Sequence, residues 1–153
     1  MYQKCLELLK QRKVTLDDIV ECVMFLQKPY ISSLTQEECK EAIIAVLHKR
    51  EVQHAIITGL YLDQAAESNL ISDSNLKSLL MEDNALYGVD EVLAYGICNL
   101  YGSIALTNYG YIDKVKPGII GEMNKSHQKC NTFLDDIVGA IAASAASKIA
   151  HTK

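Results

Sequence analysis

Apolar residues recur at helical spacing along almost the whole chain. Cys5, Leu6, Leu8 and Leu9 predict a helix over about Tyr2–Gln11. Ile19, Cys22, Val23 and Leu26 fall at i, i+3, i+4 and i+7 and predict a second, from Thr15 to about Gln27, with Thr15-x-x-Asp18 as its capping box. Pro29 to Leu34 reads as a loop. Thr35-x-x-Glu38 opens the next helix, whose stripe of Ala42, Ile43, Val46 and Leu47 runs on through Ala55, Ile56, Leu60 and Leu62 to Ala66, with a break near His48–Glu51. Ser68 to Ser72 is a turn, and a short amphipathic helix covers about Asp73–Met81.

After Gly88 the pattern turns more apolar. It predicts one helix over Val89–Leu106, a glycine-tyrosine loop at Thr107–Tyr111, a helix from Ile112 to about Asn124, a polar loop at Lys125–Asn131, and a last helix from Thr132 to about Ala150. That last helix is apolar on nearly every face, so it should be buried all round. Gly139, Ala140, Ala143 and Ser147 form one small-residue stripe, and Ala142, Ala145 and Ala146 another, which lets neighbouring helices approach closely. The expectation is an all-α, single-domain bundle over residues 1–153, with six or seven helices around a central small-residue C-terminal helix.

Composition narrows the function classes. A chain of 153 residues with 49% hydrophobic residues can bury a core without disulfides or metal. A net charge of −4 argues against nucleic acid as a partner, since that needs a basic face. Five cysteines with no CxxC read as reduced, buried thiols of a cytoplasmic protein. His127-x-x-Cys130 has metal-ligand spacing but lacks a second pair. Met1-Tyr2-Gln3-Lys4-Cys5 does not read as a signal peptide, and no transmembrane segment is expected, because Val92–Leu106 falls short of the ~20 apolar residues a span needs. The high apolar helix content leads us to expect a homo-oligomer.

Three acidic elements follow one another in the last third of the chain, each read as starting a helix. Asp90-Glu91 comes first, with Asp90 on a stripe with Leu93, Ile97, Leu100 and Ile104. Asp113 and Lys116 follow, three apart and hence on one face. Asp135-Asp136 opens the buried last helix. First-turn acids also serve the helix dipole, and Asp17-Asp18 in the same pentapeptide Leu-Asp-Asp-Ile-Val reads as that alone. Asp113–Lys116 also fits a surface ion pair. A carboxylate on a helix without a solvent face, however, needs a partner or a metal. Hard oxygen ligands at this density suit Mg²⁺, with Mn²⁺ as a substitute, and a nearby lysine suits phosphoester hydrolysis. Of the tyrosines crowded around these acids, Tyr109 and Tyr111 are the ones placed to line a pocket, and Asn108 is placed to reach a phosphate.

These elements resemble the phosphatidylglycerophosphatase A family, specifically its small soluble bacterial branch. The resemblance rests on Asp90-Glu91 within Gly88-Val89-Asp90-Glu91-Val92-Leu93, on Asp113-Lys114-Val115-Lys116-Pro117, and on Asp135-Asp136-Ile137-Val138, and so spans Gly88 to about Ser147. It implies an all-α bundle and a Mg²⁺-dependent phosphatase acting on phosphatidylglycerophosphate. Asp90, Glu91, Asp113, Asp135 and Asp136 would be metal positions. Asp90, Asp136 and Lys116 would be catalytic, with Lys116 on the phosphate; Asn108 joins it there on its place in the chain alone. The apolar spans and the glycine-threonine-proline-rich N-terminal element of integral-membrane members are absent, so the chemistry transfers better than the lipid substrate. The substrate would be a phosphomonoester, either a phospholipid met peripherally at the membrane surface or a soluble one. Two other readings compete. One is a non-catalytic helical interaction or regulatory module, with the acids as caps. The other is an all-α nucleotide pyrophosphohydrolase suggested by Glu37-Glu38-x-x-Glu41, which lacks the Glu-x-x-Asp that should follow.

Overall fold

A single buried helix organises the molecule. In the computed structural model, which describes residues 1–125 and 129–153, nine helices and no strands are found among the described residues. They are α1 (Tyr2–Gln11), α2 (Leu16–Gln27), α3 (Gln36–Leu47), α4 (Arg50–Glu67), α5 (Ser74–Met81), α6 (Val89–Cys98), α7 (Ser103–Val115), α8 (Ile119–Met123) and α9 (Thr132–Thr152). Every residue of α9 from Thr132 to Ser147 is buried. Helices α2, α3, α4, α6 and α7 pack directly on it. The alanine-rich surface explains how so many neighbours fit: small side chains bring five helix axes close to one.

The N-terminal half follows its local signals. Thr15 and Thr35 each cap their helix, and Asp18 and Glu38 return the bond to the cap backbone, so both capping boxes are formed. Asp17-Asp18 is therefore a helix start, as read. The break near His48–Glu51 separates α3 from α4. All five cysteines are buried and unpaired. His127 of the His-x-x-Cys spacing lies outside the described residues.

Three expectations for the second half are corrected; there three helices replace the two expected, and with the α3–α4 break the described residues hold nine helices where six or seven were expected. The apolar run from Val89 to Leu106 is two helices, because the chain turns at Asn99–Gly102, where Gly102 adopts φ +92°. Leu100 and Ile104 are consequently exposed instead of continuing the core stripe of Asp90 and Ile97. The segment Thr107–Tyr111 is helical despite its glycine, because Ala105, Tyr109 and Ile112 supply a buried i, i+4, i+7 stripe that outweighs propensity. Finally, Pro117 ends α7 at Val115, and Lys116 closes it in the left-handed region at φ +54°. Asp113 thus lies in the last turn of α7 and does not start a helix.

Gly59 sets how closely α4 approaches α9. A Cβ there would lie 2.5 Å from Ile137 Cδ1 and 3.0 Å from Phe133 Cβ. The isoleucine tip can rotate away, but the phenylalanine Cβ cannot move without the α9 backbone. Gly59→Ala should therefore destabilise the protein by about 1–3 kcal/mol despite alanine's better helix propensity. Urea unfolding followed by circular dichroism checks this, and an unchanged midpoint would contradict it.

Candidate functional site

The entry to α9 is held by other helices, not by its own residues. Asn131 precedes it without making a side-chain cap. The cap comes from Asp63 on α4, whose carboxylate accepts bonds from Phe133 N (3.0 Å) and Leu134 N (2.9 Å), the second and third residues of α9. Cys130 Sγ also approaches Asp63, at 3.5 Å. Around this point Arg12 reaches the Cys130 carbonyl and Asn131, and pairs with Glu67 at 2.9 Å; Glu67 in turn accepts from Cys130 N. Thr132 Oγ1 donates to the Leu80 carbonyl. Helices α1, α4 and α5 therefore fix the first turn of α9, and with it the direction of Asp135 and Asp136.

Because Asp63 performs the capping, Asp135 and Asp136 are released from it. Both are buried, and both line an open cleft of about 180 Å³ with Asp83, Asn84, Asp90, Glu91, Asp113, Lys116 and Asn124. Asp90 and Glu91 come from the first turn of α6, Asp113 and Lys116 from the end of α7, and Asp83 from the loop after α5. Tyr109, buried on α7, donates its hydroxyl to Asp136 Oδ1 at 2.7 Å. Lys116 Nζ lies 3.3 Å from Asp113 Oδ1 and 3.9 Å from Asp135 Oδ2. The other oxygen, Asp135 Oδ1, is buried with no hydrogen-bond partner. A close approach supports the Lys116 loop: a Cβ on Gly121 would lie 2.5 Å from the Lys116 carbonyl oxygen, so only glycine fits beside it.

Six carboxylates facing one lysine is an unbalanced set. Burial pushes Asp135 well above its ordinary 3.8, with Asp83 adding to the effect and Lys116 opposing it. Asp136 is raised further, first by burial, then by Asp90 within hydrogen-bonding reach and by the charge of Asp135, against the Tyr109 hydroxyl. Asp83, an exposed residue at the cleft rim, is raised in the same sense by partial desolvation and by Asp90. For Lys116, burial works against the charge, but Asp135 and Asp113 outweigh it and hold the ammonium above its ordinary 10.5. Burial and mutual repulsion thus favour the protonated carboxyls, and a bound cation would favour the charged ones. No three acidic, histidine or cysteine side chains among the described residues converge into a ready-made cage. The partnerless Asp135 Oδ1 is the observation that fits a bound cation.

Asp90, Glu91, Asp113, Lys116, Asp135 and Asp136, separated by up to 46 positions in sequence, are brought to one cleft. Asn108 is not among them. Its amide nitrogen is buried without a partner on α7, away from the cleft lining. Tyr111 turns outward to stack on Phe25, leaving Tyr109 as the tyrosine of the site. Asp83 and Asp63 were missed. Asp83 follows an ordinary surface helix and carries no local signal. Asp63 did carry one: it lies at i+7 from Ile56 and i+3 from Leu60, on the buried stripe of α4, the same argument that singles out Asp90.

An all-helical bundle with an acid-lined cleft at the start of its central helix is the class of protein defined by this structure. The chain belongs to the phosphatidylglycerophosphatase A family, whose sequence model matches residues 14–151. The match extends well beyond the three acidic elements, into the N-terminal helices. The chain is 56% identical over 144 residues to the YutG protein of Bacillus subtilis (strain 168), covering 94% of this chain and 86% of that one. Among solved structures it resembles a protein of unknown function from Bacillus stearothermophilus, with a TM-score of 0.96 and 54% identity over 99% of this chain and 94% of that one. It is also similar to the low temperature requirement C protein from Listeria monocytogenes, with a TM-score of 0.96 and 50% identity over 99% and 95%.

Proposed function

We propose that this protein is a Mg²⁺-dependent phosphomonoesterase that removes the terminal phosphate of phosphatidylglycerophosphate, releasing phosphatidylglycerol and inorganic phosphate. The observation that carries this reading is the meeting of six carboxylates with Lys116 in one cleft, where Asp135 Oδ1 is buried and without a partner. Asp90, Glu91, Asp113, Asp135 and Asp136 are the residues that would hold Mg²⁺. When bound, the ion would neutralise phosphate oxygens and acidify water. Lys116, whose ammonium faces Asp135 across the cleft, would balance charge on the transferring phosphoryl group. Asp136 and Asp90 would position the attacking water and accept its proton, a role supported by the Tyr109 hydroxyl's bond to Asp136 and by Asp90 within reach of it. The water oxygen would bond to phosphorus as the phosphorus–oxygen bond to glycerol breaks, and the departing alkoxide would take up the proton that the water gave to the carboxylate. No helix among the described residues is long and apolar enough to cross a membrane, so the lipid substrate would be met at the membrane surface.

Phosphate release from phosphatidylglycerophosphate, measured beside a panel of soluble phosphomonoesters with Mg²⁺, Mn²⁺ or EDTA, tests the reading. Activity on the lipid that EDTA abolishes is expected. Activity confined to soluble esters would sink the substrate assignment, and activity surviving EDTA the metal.

The raised carboxyls also make a stability prediction. Burial pushes Asp63 up to about 7 from its ordinary 3.8, against the bonds from Phe133 and Leu134, and Asp83, Asp135 and Asp136 move in the same direction. Between the unfolded and folded values the native state binds more protons than the unfolded chain. Metal-free stability is therefore highest at the acidic end, near the ordinary 3.8, and falls as pH rises through 7, by up to about 1.4 kcal/mol per pH unit for each extra proton held. Mg²⁺ replaces protons in the cleft, so it should flatten the alkaline side of a Tm-against-pH curve. Parallel curves with and without Mg²⁺ would contradict this.

A further inference from the structure

The acid cleft does not end at its own lining. Asp83 and Asn124 also line a second, larger cavity of about 480 Å³, so the two spaces adjoin. At about 180 Å³ the cleft is smaller than a pocket that encloses a whole organic ligand, roughly 300–1,000 Å³. The rest of an ester bound there has to extend beyond it, and the adjoining cavity offers the space.

The lining of that cavity says what it can take. Six of its ten lining residues are polar or charged, which does not suit an acyl chain. Two of the six are already occupied within the fold. Asn131 accepts from Arg12 at 3.0 Å and donates to the Met123 carbonyl, and Thr132 donates to the Leu80 carbonyl. The Lys129 ammonium and the Asn124 amide, both on exposed residues, have no such partner among the described residues. Both are donors, and Lys129 is the one cation in the described lining. Of the two acids there, Asp83 also faces the cleft, where a bound cation would balance it, which leaves Glu82 opposite Lys129. A cation and an amide suit an anion that the substrate carries some way from the phosphate being cut. Phosphatidylglycerophosphate has one: a phosphodiester, one glycerol away from the terminal phosphate.

We propose that the cavity beside the cleft binds the phosphodiester of the substrate, and that Lys129 selects phosphomonoesters carrying this second phosphate over those that lack it. The proposal rests on the phosphatase reading above. Lys116 then serves the phosphate that is released, and Lys129 the one that stays in the lipid. Without Lys129 the lining has no positive charge to offer and Glu82 repels the diester, so discrimination depends on this side chain. Lys129 also borders the Arg12–Glu67 pair. A structural role there would act on every ligand of the cleft alike, whereas a diester contact acts only on ligands that have a diester.

Steady-state hydrolysis of dihexanoyl phosphatidylglycerophosphate, kept monomeric in solution with Mg²⁺, tests this with wild type, Lys129→Ala and Lys129→Arg. Two inhibitors separate the spaces: dihexanoyl phosphatidylglycerol carries the diester without the monoester, and inorganic phosphate occupies the cleft alone. Lys129→Ala is expected to raise KM and the inhibition constant of dihexanoyl phosphatidylglycerol by about tenfold each, the scale of one charge-assisted hydrogen bond, with kcat and inhibition by phosphate within about twofold of wild type. Lys129→Arg should bring both constants back towards wild type. Lys129 is exposed, so both variants should keep the wild-type helical dichroism. An alanine variant that moves none of these constants, or weakens inorganic phosphate as much as the diester, overturns the proposal and leaves the phosphatase reading standing. A wild type that cleaves glycerol phosphate but not this lipid removes the substrate assignment, and this proposal with it.

Discussion

Asp136→Asn is expected to abolish Mg²⁺-dependent phosphatase activity while leaving the metal-free protein more stable than wild type. The two effects have one cause. Asp136 is buried beside Asp90 and Asp135, and in the absence of a cation this proximity is unfavourable, as its strongly raised proton affinity shows. Asparagine keeps the shape and still offers an oxygen to the Tyr109 hydroxyl, which now donates to Asp136 Oδ1 at 2.7 Å. It also spares the chain the proton that Asp136 must take up on folding near neutral pH, where the unfolded carboxyl is ionised. Metal-free stability should rise by on the order of 1 kcal/mol near neutral pH, a Tm increase of about 2–4 °C for a chain of this size. Activity should fall by about 10³-fold or more, because in the proposed mechanism the same carboxylate would hold the ion and orient the attacking water. Phosphate-release assays, calorimetric Mg²⁺ titration and thermal melts on one preparation check it. If the variant is less stable and equally active, Asp136 is a structural residue and the cleft is not the site. The combination matters more than either effect alone, since a purely structural acid would lose stability on neutralisation, and a solvated one would change neither property.

How legible this arrangement was in the sequence depends on how locally it is encoded. The starts of α2 and α3 were legible because Thr15-x-x-Asp18 and Thr35-x-x-Glu38 are complete devices within four residues. The burial of α9 was legible because no face of it is polar enough for water. The boundaries between residues 89 and 124 were not, because two opposing effects act there. Gly102 and Pro117 cut apolar runs that look continuous, while the stripe of Ala105, Tyr109 and Ile112 holds together a segment whose glycine and tyrosines suggest a loop. The acids of the cleft stood out as residues too costly to bury alone, which is a property of each helix taken singly. Tyr109 as their partner and Asp83 as their neighbour are properties of the assembled bundle. Asn108 shows the converse: adjacency in sequence to a site residue places a side chain about 100° away around the helix, facing other neighbours.

The largest effect on stability should come from outside the cleft, at Asp63. It is fully buried, and it accepts the amide hydrogens of Phe133 and Leu134 at the head of the helix around which everything else packs. Asp63→Ala would leave both donors buried without an acceptor, and strip Cys130 Sγ of a contact at 3.5 Å. Losing a cap and stranding two donors should cost about 3–5 kcal/mol, a large part of the stability of a domain this size. Asp63→Asn separates the components of that loss. It keeps one oxygen as acceptor but turns an amide donor towards a backbone donor, so it should cost less than alanine and more than a surface change. Asparagine also cannot titrate. Because burial raises Asp63 to about 7, wild type gains stability as pH falls from 7 towards 4, and the asparagine variant should show that gain reduced. Urea unfolding at pH 5 and at pH 8 measures both quantities. Equal losses for alanine and asparagine at both pH values would mean that Asp63 acts only by filling space. The expected order, with the gap between wild type and asparagine narrowing as pH rises, would mean that one carboxylate on α4 sets the register of α9, and through it the spacing of Asp135 and Asp136 from the acids they face.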